Sequence, residues 1–257
     1  MEKNREENFM DRYWDERSFS YSELNRKQFY SEQRKAWEKA IFSHVKEDRK
    51  LKVLDVGTGP GFFAILAALR GHEVTAVDMN ENMLREAKKN ASDAGVHVLF
   101  KKVGHILPFE EESFDLIVSR DVTWALTEPE KQLKTWANLL KTDGVLLYFD
   151  AEWNYHLKNE ENYQFWMRYK KELQKQGIVF YEKADELDRV SVNLPMTYRD
   201  RPAWDAQFWE EQGYFCRIYE NLNSEIFNEQ EQIHYQTHPV FLVEVRAVYE
   251  KIQNNRI

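Results

Sequence analysis

The chain is expected to adopt an α/β fold: a mostly parallel sheet of seven strands with helices on both faces, a helical N-terminal arm, and an insertion after the fifth strand. Three observations predict it. Short apolar runs alternate with helical patterns from Leu51 to Phe149, the signature of strands buried on both faces by crossover helices. A glycine-rich turn, Gly57-Thr58-Gly59-Pro60-Gly61, joins the first of those runs to the first helix. The first fifty residues hold neither Gly nor Pro, and nine basic with nine acidic residues fall in the first forty, which reads as a helical arm.

The elements follow in order. In the arm, Phe9, Tyr13, Trp14, Phe19 and Tyr21 exceed the aromatic surface a solvated helix needs. They read either as packing against the sheet or as a lid sharing in a substrate pocket. Leu51 to Val56 is a buried strand, Phe62 to Arg70 a helix closed by Gly71, and Glu73 to Asp78 a second strand. Asn80 caps a helix running to about Ala94, with Gly95 at its C-terminal end. Val96 to Phe100 is a third strand and Phe114 to Ser119 a fourth. Pro129 suits the first turn of a helix carrying Leu133, Trp136, Leu139 and Leu140, and the turn Lys141-Thr142-Asp143-Gly144 feeds a fifth strand, Val145 to Phe149. After Asp150 the rhythm breaks. A helix from about 155 to 176 and a polar stretch form an insertion over 151–202, and Arg199-Asp200-Arg201 reads as a solvated or capping turn. A helix at Ala203 to Gln212 and strands at Phe215 to Tyr219 and Pro239 to Val248 complete the domain over 51–257, after an arm over 1–50.

Composition bounds the partners. With 257 residues, 42% hydrophobic and 31% charged, the chain is long enough for one large domain with an appendage and too apolar for a disordered tail. Thirty-six Lys+Arg against 44 Asp+Glu leave a net charge of −8, which repels a phosphate backbone and disfavours nucleic acid. The longest apolar stretch, Phe62 to Leu69, is far short of the roughly 20 residues that span a bilayer. The opening MEKNREENFM lacks the apolar core of a secretory signal, so a cytoplasmic protein with no membrane partner is expected. A single cysteine, Cys216, excludes an internal disulfide. His234 and His238 alone have the i, i+4 spacing of a helical metal pair, and Pro239 argues against a continuous helix there, so no metal is expected.

Chemistry concentrates at Asp55-Val56-Gly57-Thr58-Gly59-Pro60-Gly61. The glycines permit a tight turn and close approach of a ligand, and the following helix offers unpaired N–H groups. Asp78 follows Asp55 by 78 − 55 = 23 residues, at the end of the second strand, where a carboxylate accepts from ribose hydroxyls. A dinucleotide site has G-x-G-x-x-G. Here the spacing is G-x-G-x-G and Asp55 precedes it, a carboxylate that repels pyrophosphate but suits a ligand bearing an ammonium and a sulfonium. That points to S-adenosyl-L-methionine as the expected ligand.

On these residues the chain resembles the class I S-adenosylmethionine-dependent methyltransferases with a small-molecule-type methyltransferase domain. The resemblance spans roughly Leu51 to Asp150. Asp55 to Gly61 matches the turn that wraps the methionine part of the cofactor, including Thr58; Asp78 matches the ribose-gripping acid and Met79 the apolar residue beside the adenine. Leu107-Pro108-Phe109 with Ser113-Phe114-Asp115 matches the family's L-P-F…S-F-D run, Ser119-Arg120-Asp121 the loop next to the methyl group, and Leu140 to Gly144 its L-K-P-G-G turn. The resemblance implies a Rossmann-like sheet with an antiparallel last strand, S-adenosyl-L-methionine as cofactor and S-adenosyl-L-homocysteine as product. Many relatives place an Asp five residues before the L-P-F proline, on the adenine amino group; at 108 − 5 = 103 this chain has Val103. Backbone at Gly104 and His105, with packing from Met79, is then expected to hold the adenine. In the arm, Tyr13-Trp14-Asp15 and Arg17 resemble, less specifically, a segment that helps close the site.

The expected cofactor residues are thus Asp55, Gly57, Thr58, Gly59, Gly61, Asp78, Met79, Gly104, His105 and Arg120. Tyr13, Trp14, Trp124 and Trp153 are the candidate substrate residues; the two tryptophans of the core follow the fourth and fifth strands, where open α/β sheets place ligands. His105, Asp121 and His156 are the local candidates for a general base, which an amine or thiol acceptor does not need and a hydroxyl or carbon acid does. A lone loop histidine is more often a surface or packing residue, and Arg120 and Asp121 read equally as a pair with each other. The expected function is methylation of a small-molecule acceptor. The alternatives are a protein methyltransferase and a non-catalytic cofactor-binding regulator or scaffold, with monomer and homodimer both open. The absence of an N/D-P-P-Y/F run argues against action on flipped bases.

Overall fold

The computed structural model describes residues 2–46 and 48–247. In chain order it contains α1 (Glu2–Phe29), α2 (Gln33–Phe42), β1 (Lys52–Val56), α3 (Phe62–Leu69), β2 (Glu73–Asp78), α4 (Glu81–Asp93), β3 (Leu99–Lys102), β4 (Phe114–Arg120), α5 (Pro129–Asn138) and β5 (Leu140–Asp150). There follow α6 (Glu160–Lys175), α7 (Ala184–Ser191), α8 (Ala203–Glu211), β6 (Tyr214–Tyr219), α9 (Asn223–Ile226), α10 (Glu229–His234) and β7 (Phe241–Ala247), with short 3-10 turns at Thr123–Ala125, Tyr155–Leu157 and Pro195–Tyr198. The sheet runs β3-β2-β1-β4-β5-β7-β6. Its strands are parallel except β7, which is antiparallel to both β5 and β6. This is the expected Rossmann-like sheet.

Alternation builds two cores. On one face Val145, Leu147 and Phe149 of β5, with Val53 of β1, pack under Trp37 and Ile41 of α2 and the apolar α3. On the other, Leu146 and Tyr148 meet Leu133 and Trp136 of α5 and Trp209 of α8. A strand with large apolar residues at every position has no wet face, which is why these runs read as continuous rather than alternating.

Several boundaries differ from the sequence expectation. The third strand is shifted to Leu99–Lys102, because its pairing with Thr75 to Asp78 of β2 fixes the register. Residues 141–144, expected as a separate turn, lie inside β5: Phe114 pairs with Leu140 and Leu116 with Val145, so four residues bulge out between those two pairs. The helix expected over 155–176 is a 3-10 turn followed by α6, broken by Asn159, which caps α6 by accepting from the Asn162 N–H at 2.9 Å. The polar stretch of the insertion contains α7, and Asn228 closes a capping box that starts α10. Val248, the expected end of the last strand, lies outside the described residues.

Arg201 overturns the expectation of a solvated turn. It is buried, donating to both Asp205 oxygens at 2.8 Å and to Asp150 at 3.2 Å, while its neighbour Asp200 is exposed. Two buried carboxylates next to the last turn of the insertion draw the guanidinium inward, since burial of a charge requires a paired one.

Candidate active site

The glycine turn is built as the spacing demands. Gly57, Gly59 and Gly61 all have positive φ, at 68°, 52° and 90°. A Cβ on Gly57 would lie 2.3 Å from Val122 Cγ2, so only glycine lets the turn pass under the loop after β4. The Gly57 and Thr58 N–H groups donate to the Val77 carbonyl at 2.9 Å, tying the turn to β2. Asp55, buried beneath, accepts from the Thr58 hydroxyl at 2.6 Å and the Ala64 N–H at 3.0 Å. Burial pushes its carboxyl up to about 7 in spite of those bonds.

Asp78 sits one strand over and holds the turn from the other side. Its carboxylate accepts from the Gly59 N–H at 2.8 Å and the Asn80 N–H at 2.9 Å, and burial raises its pKa. Asn80 caps α4 by accepting from the Met83 N–H at 3.0 Å. Its amide also donates to Asp11 and to Asp15 of α1, at 2.9 Å each.

At the end of β4 the backbone reverses at Asp121, which has φ 57° and donates its N–H to the Phe149 carbonyl at 2.9 Å. Trp124 is held at both ends: its N–H donates to Asp150 at 2.8 Å and its indole to the Asp121 carbonyl at 2.9 Å. Asp150 is in turn bonded by Arg201, so the insertion steadies the loop that carries Asp121 and Trp124. The Asp121 carboxyl keeps 30% of its side-chain surface, opening on an internal cavity. Desolvation pushes it up to about 7, against Arg120 at 3.8 Å, which pulls it down.

These features share one cavity of about 610 Å³, which runs from Asp78 past Gly59 to Asp121 and Trp124. The arm forms its roof. Met10, Trp14, Tyr21 and Asn25 recur on one stripe of α1 and all face the cavity. The stripe is anchored by Arg120, which donates to Asn25 at 2.6 Å and Gln28 at 3.2 Å, and by Arg26, which bonds Asn90 and Asp93 of α4.

Residues 54–148 match the family model described as a methyltransferase domain. Over those residues the chain is similar to the methyltransferase-domain family. Among curated relatives it is 35% identical over 98 residues to a ribosomal protein L11 methyltransferase of Dictyoglomus turgidum, which covers 38% of this chain and 31% of that one. It is 30% identical over 109 residues to a ubiquinone biosynthesis O-methyltransferase of Pasteurella multocida, covering 38% and 45%. The matches therefore span less than half the length of those relatives. In fold it is similar to an S-adenosylmethionine-dependent methyltransferase from Mesorhizobium loti, with TM-score 0.59 and 17% identity over 82% of this chain and 97% of that one.

The lining of the cavity fits the chemistry of S-adenosylmethionine. The turn leaves room for a ligand backbone, Asp78 offers carboxylate oxygens, and Met79, Met83 and Leu107 give apolar surface. Asp55, Gly57, Thr58, Gly59, Asp78, Met79, Gly104, His105 and Arg120 of the expected cofactor set all line it. Gly61 does not; it serves the turn from below, where a Cβ would press on Ala87 at 3.1 Å. Val103 lines the cavity with no carboxylate to offer, and beside it Gln132, from α5, bonds His105 Nδ1 at 3.2 Å. The guanidinium of Arg120 is spent on the arm and on the faces of Trp37, Phe62 and Phe63.

Of the expected substrate residues, Trp14 and Trp124 line the cavity, whereas Tyr13 and Trp153 stand behind its wall. Tyr13 accepts from Arg17 at 2.9 Å, and Trp153 packs on Tyr235 and His238. His156 also lies off the cavity, buried 3.2 Å from Asp188 and packed on Trp166. Asp11, Asn25 and Gln132, which line the cavity, lie outside the expected site, and Tyr21 is expected only as one of the arm aromatics that pack on the sheet or close a pocket. The 10, 14, 21, 25 spacing in the arm, at helical periodicity, is the available signal for Tyr21 and Asn25.

Proposed function

We propose that this protein transfers a methyl group from S-adenosylmethionine to a small-molecule acceptor enclosed between the sheet and the arm. The observation that carries the reading is the single continuous cavity joining the glycine turn and Asp78 to Asp121 and Trp124 under α1. Asp78 would hold the ribose, the turn from Asp55 to Gly61 the methionine portion, and Gly104, His105 and Gln132 the adenine edge in place of the carboxylate that Val103 lacks. Bound S-adenosylmethionine supplies an electrophilic methyl group on a sulfonium sulfur. What the chain adds is position and dryness: the roof of Trp14 and Tyr21 excludes water, and the β4 loop presents an acceptor to the site. Of the three candidate bases, Asp121 is the one that faces the acceptor end of the cavity. With its carboxyl at about 7 it can take an acceptor proton near neutral pH. His105 is engaged by Gln132 and His156 lies outside the cavity.

Calorimetric titration with S-adenosylmethionine, S-adenosylhomocysteine and NAD in parallel tests the cofactor. The two adenosyl ligands are expected to bind and NAD to give no heat; NAD binding alone would overturn the reading. Screening small amines, thiols, phenols and acids for S-adenosylhomocysteine release then tests turnover. The relative named for a ribosomal protein keeps a protein acceptor as the second reading. The arm over the cavity argues for the small molecule, because a peptide would have to thread beneath α1.

A further inference from the structure

The cavity end away from Asp78 is closed by parts that the glycine turn does not use. Val190 of α7 and Leu194, shortly after it, are buried and line the cavity. The insertion brings them there by packing its turn Pro195–Tyr198 on the turn Thr123–Ala125, which carries the cavity-lining Trp124. Against this apolar wall stands one carboxyl. Asp121 has φ 57°, a left-handed conformation that few residues other than glycine adopt. Its N–H is held by the Phe149 carbonyl and its own carbonyl by the Trp124 indole, so its backbone is fixed and its side chain is left to the cavity. The donors near that carboxyl fall short. Arg120 Nε is 3.8 Å away, and the Trp153 indole N–H, itself buried without a partner, lies beside it outside hydrogen-bond geometry.

A partly desolvated carboxyl short of donors favours a ligand that brings N–H groups and positive charge. An anion is disfavoured at the same place. The basic group beside it, Arg120, is bonded to Asn25 and Gln28 and lies on the rings of Trp37, Phe62 and Phe63. Lys102 pairs with Asp78 on β3, three strands from β4 and so about 14 Å off, and His105 is engaged by Gln132. The aromatic lining at Trp124 and Tyr21 suits a cation as well. We propose that the methyl acceptor is a primary or secondary amine on an apolar body, with Asp121 binding the nitrogen and Val190, Leu194 and Trp124 holding the body. The proposal rests on the methyltransferase reading and adds a substrate class to it. The bound ammonium passes one proton to the Asp121 carboxylate. The freed lone pair forms the N–C bond to the methyl group as the C–S bond breaks, the electron pair of that bond staying on sulfur, and the proton on Asp121 leaves to solvent.

The protein is first saturated with S-adenosylhomocysteine, whose own binding checks the cofactor reading separately. It is then titrated by calorimetry with benzylamine, methylamine, benzyl alcohol and benzoate at about pH 8, where the carboxyl is mainly ionised and alkylamines stay protonated. Wild type, Asp121→Asn and Leu194→Ala are compared; Asn tolerates the positive φ of position 121. Benzylamine is expected to bind wild type at least about tenfold more tightly than each of the other three. Asp121→Asn should lose benzylamine about tenfold or more, and Leu194→Ala about threefold or more, with S-adenosylhomocysteine affinity within about twofold of wild type in both. No binding of benzylamine to wild type, benzyl alcohol or benzoate binding as tightly as benzylamine, or an unchanged benzylamine affinity in Asp121→Asn would each overturn the proposal. Methylamine binding as tightly as benzylamine, or an unchanged benzylamine affinity in Leu194→Ala, would overturn the apolar body; if Leu194→Ala does not fold, the comparison of the two amines on wild type still decides that part. Failure of wild type to bind S-adenosylhomocysteine would instead sink the methyltransferase reading.

Discussion

The two oxygens of Asp78 accept from the Gly59 and Asn80 N–H groups, so the carboxylate proposed to hold the ribose also fixes the glycine turn. Asp78→Ala is therefore expected to weaken S-adenosylhomocysteine binding by about 1–3 kcal/mol, read by calorimetry; unchanged affinity would remove it from the site. Gly57→Ala should cost stability in a thermal melt without any ligand, since φ 68° and the 2.3 Å approach to Val122 both oppose a side chain. Asp55, which is buried, and Asp121, which is partly desolvated, make a pH prediction. Each ordinarily titrates at 3.8 and is pushed up to about 7, so the fold holds protons that the unfolded chain has released between those values. Their contribution to stability is full below 3.8 and is lost as pH rises through about 7. Asp121→Asn removes one such group. Its melting temperature relative to wild type is expected to rise between about pH 5 and pH 7.5, and a constant difference would contradict the burial argument. Binding a cationic cofactor favours the ionised carboxyls, so proton release on S-adenosylmethionine binding near pH 6.5 should appear as a buffer-dependent heat.

At the scale of elements, α1 decides whether the cavity is a pocket or a groove. Its polar attachments include Asn80 to Asp11 and Asp15, Arg120 to Asn25 and Gln28, and Arg26 to Asn90 and Asp93, beside ring contacts of Tyr13 with Tyr181 and of Phe29 with Phe62. A helix held in part by such partly exposed polar bonds is expected to open at lower free-energy cost than α3, whose residues Phe62 to Ala67 are buried in the core. Arg120→Gln is expected to raise amide exchange across residues 10–29 and to speed S-adenosylhomocysteine dissociation in stopped flow, with exchange in β1 and β4 unchanged. If exchange in α1 stays as slow as in wild type, the arm is held by packing and not by these bonds. The insertion works from the opposite side. By placing Arg201 on Asp150, it ties the chain after β5 to the loop after β4, where Thr123 and Trp124 bond the same carboxylate.

For the whole molecule, ligand and fold are coupled because the cavity is bounded by the arm, the sheet ends and the insertion together. A ligand that fills it should raise the melting temperature, with about 2.7 kcal/mol of added stability at a hundred times its dissociation constant. S-adenosylhomocysteine is expected to give that shift and NAD none, in a melt that reports the arm and the sheet as one transition. Separate transitions would show that α1 docks independently. The alternation of strands and helices and the position of the glycine turn were legible because both depend on local signals, alternation of apolar runs and three glycines after Asp55 with Asp78 23 residues beyond it. The register of β3 and the bulge within β5 were not, because pairing with a neighbouring strand sets them.

By itself the sequence determined the doubly wound sheet, the glycine turn with Asp55 and Asp78 at the strand ends, and the helical character of the arm. Those features follow from spacing along the chain, which glycine conformations and helical or strand periods encode directly. Only the tertiary structure decided which aromatic residues reach the cavity, leaving Trp14 and Trp124 inside and Tyr13 and Trp153 behind its wall. It also separated Asp121 from His156, and turned Arg201 from an exposed turn residue into a buried link. Each of these outcomes depends on which buried charges and rings meet across long sequence distances, and such meetings are fixed by packing and desolvation rather than by local pattern.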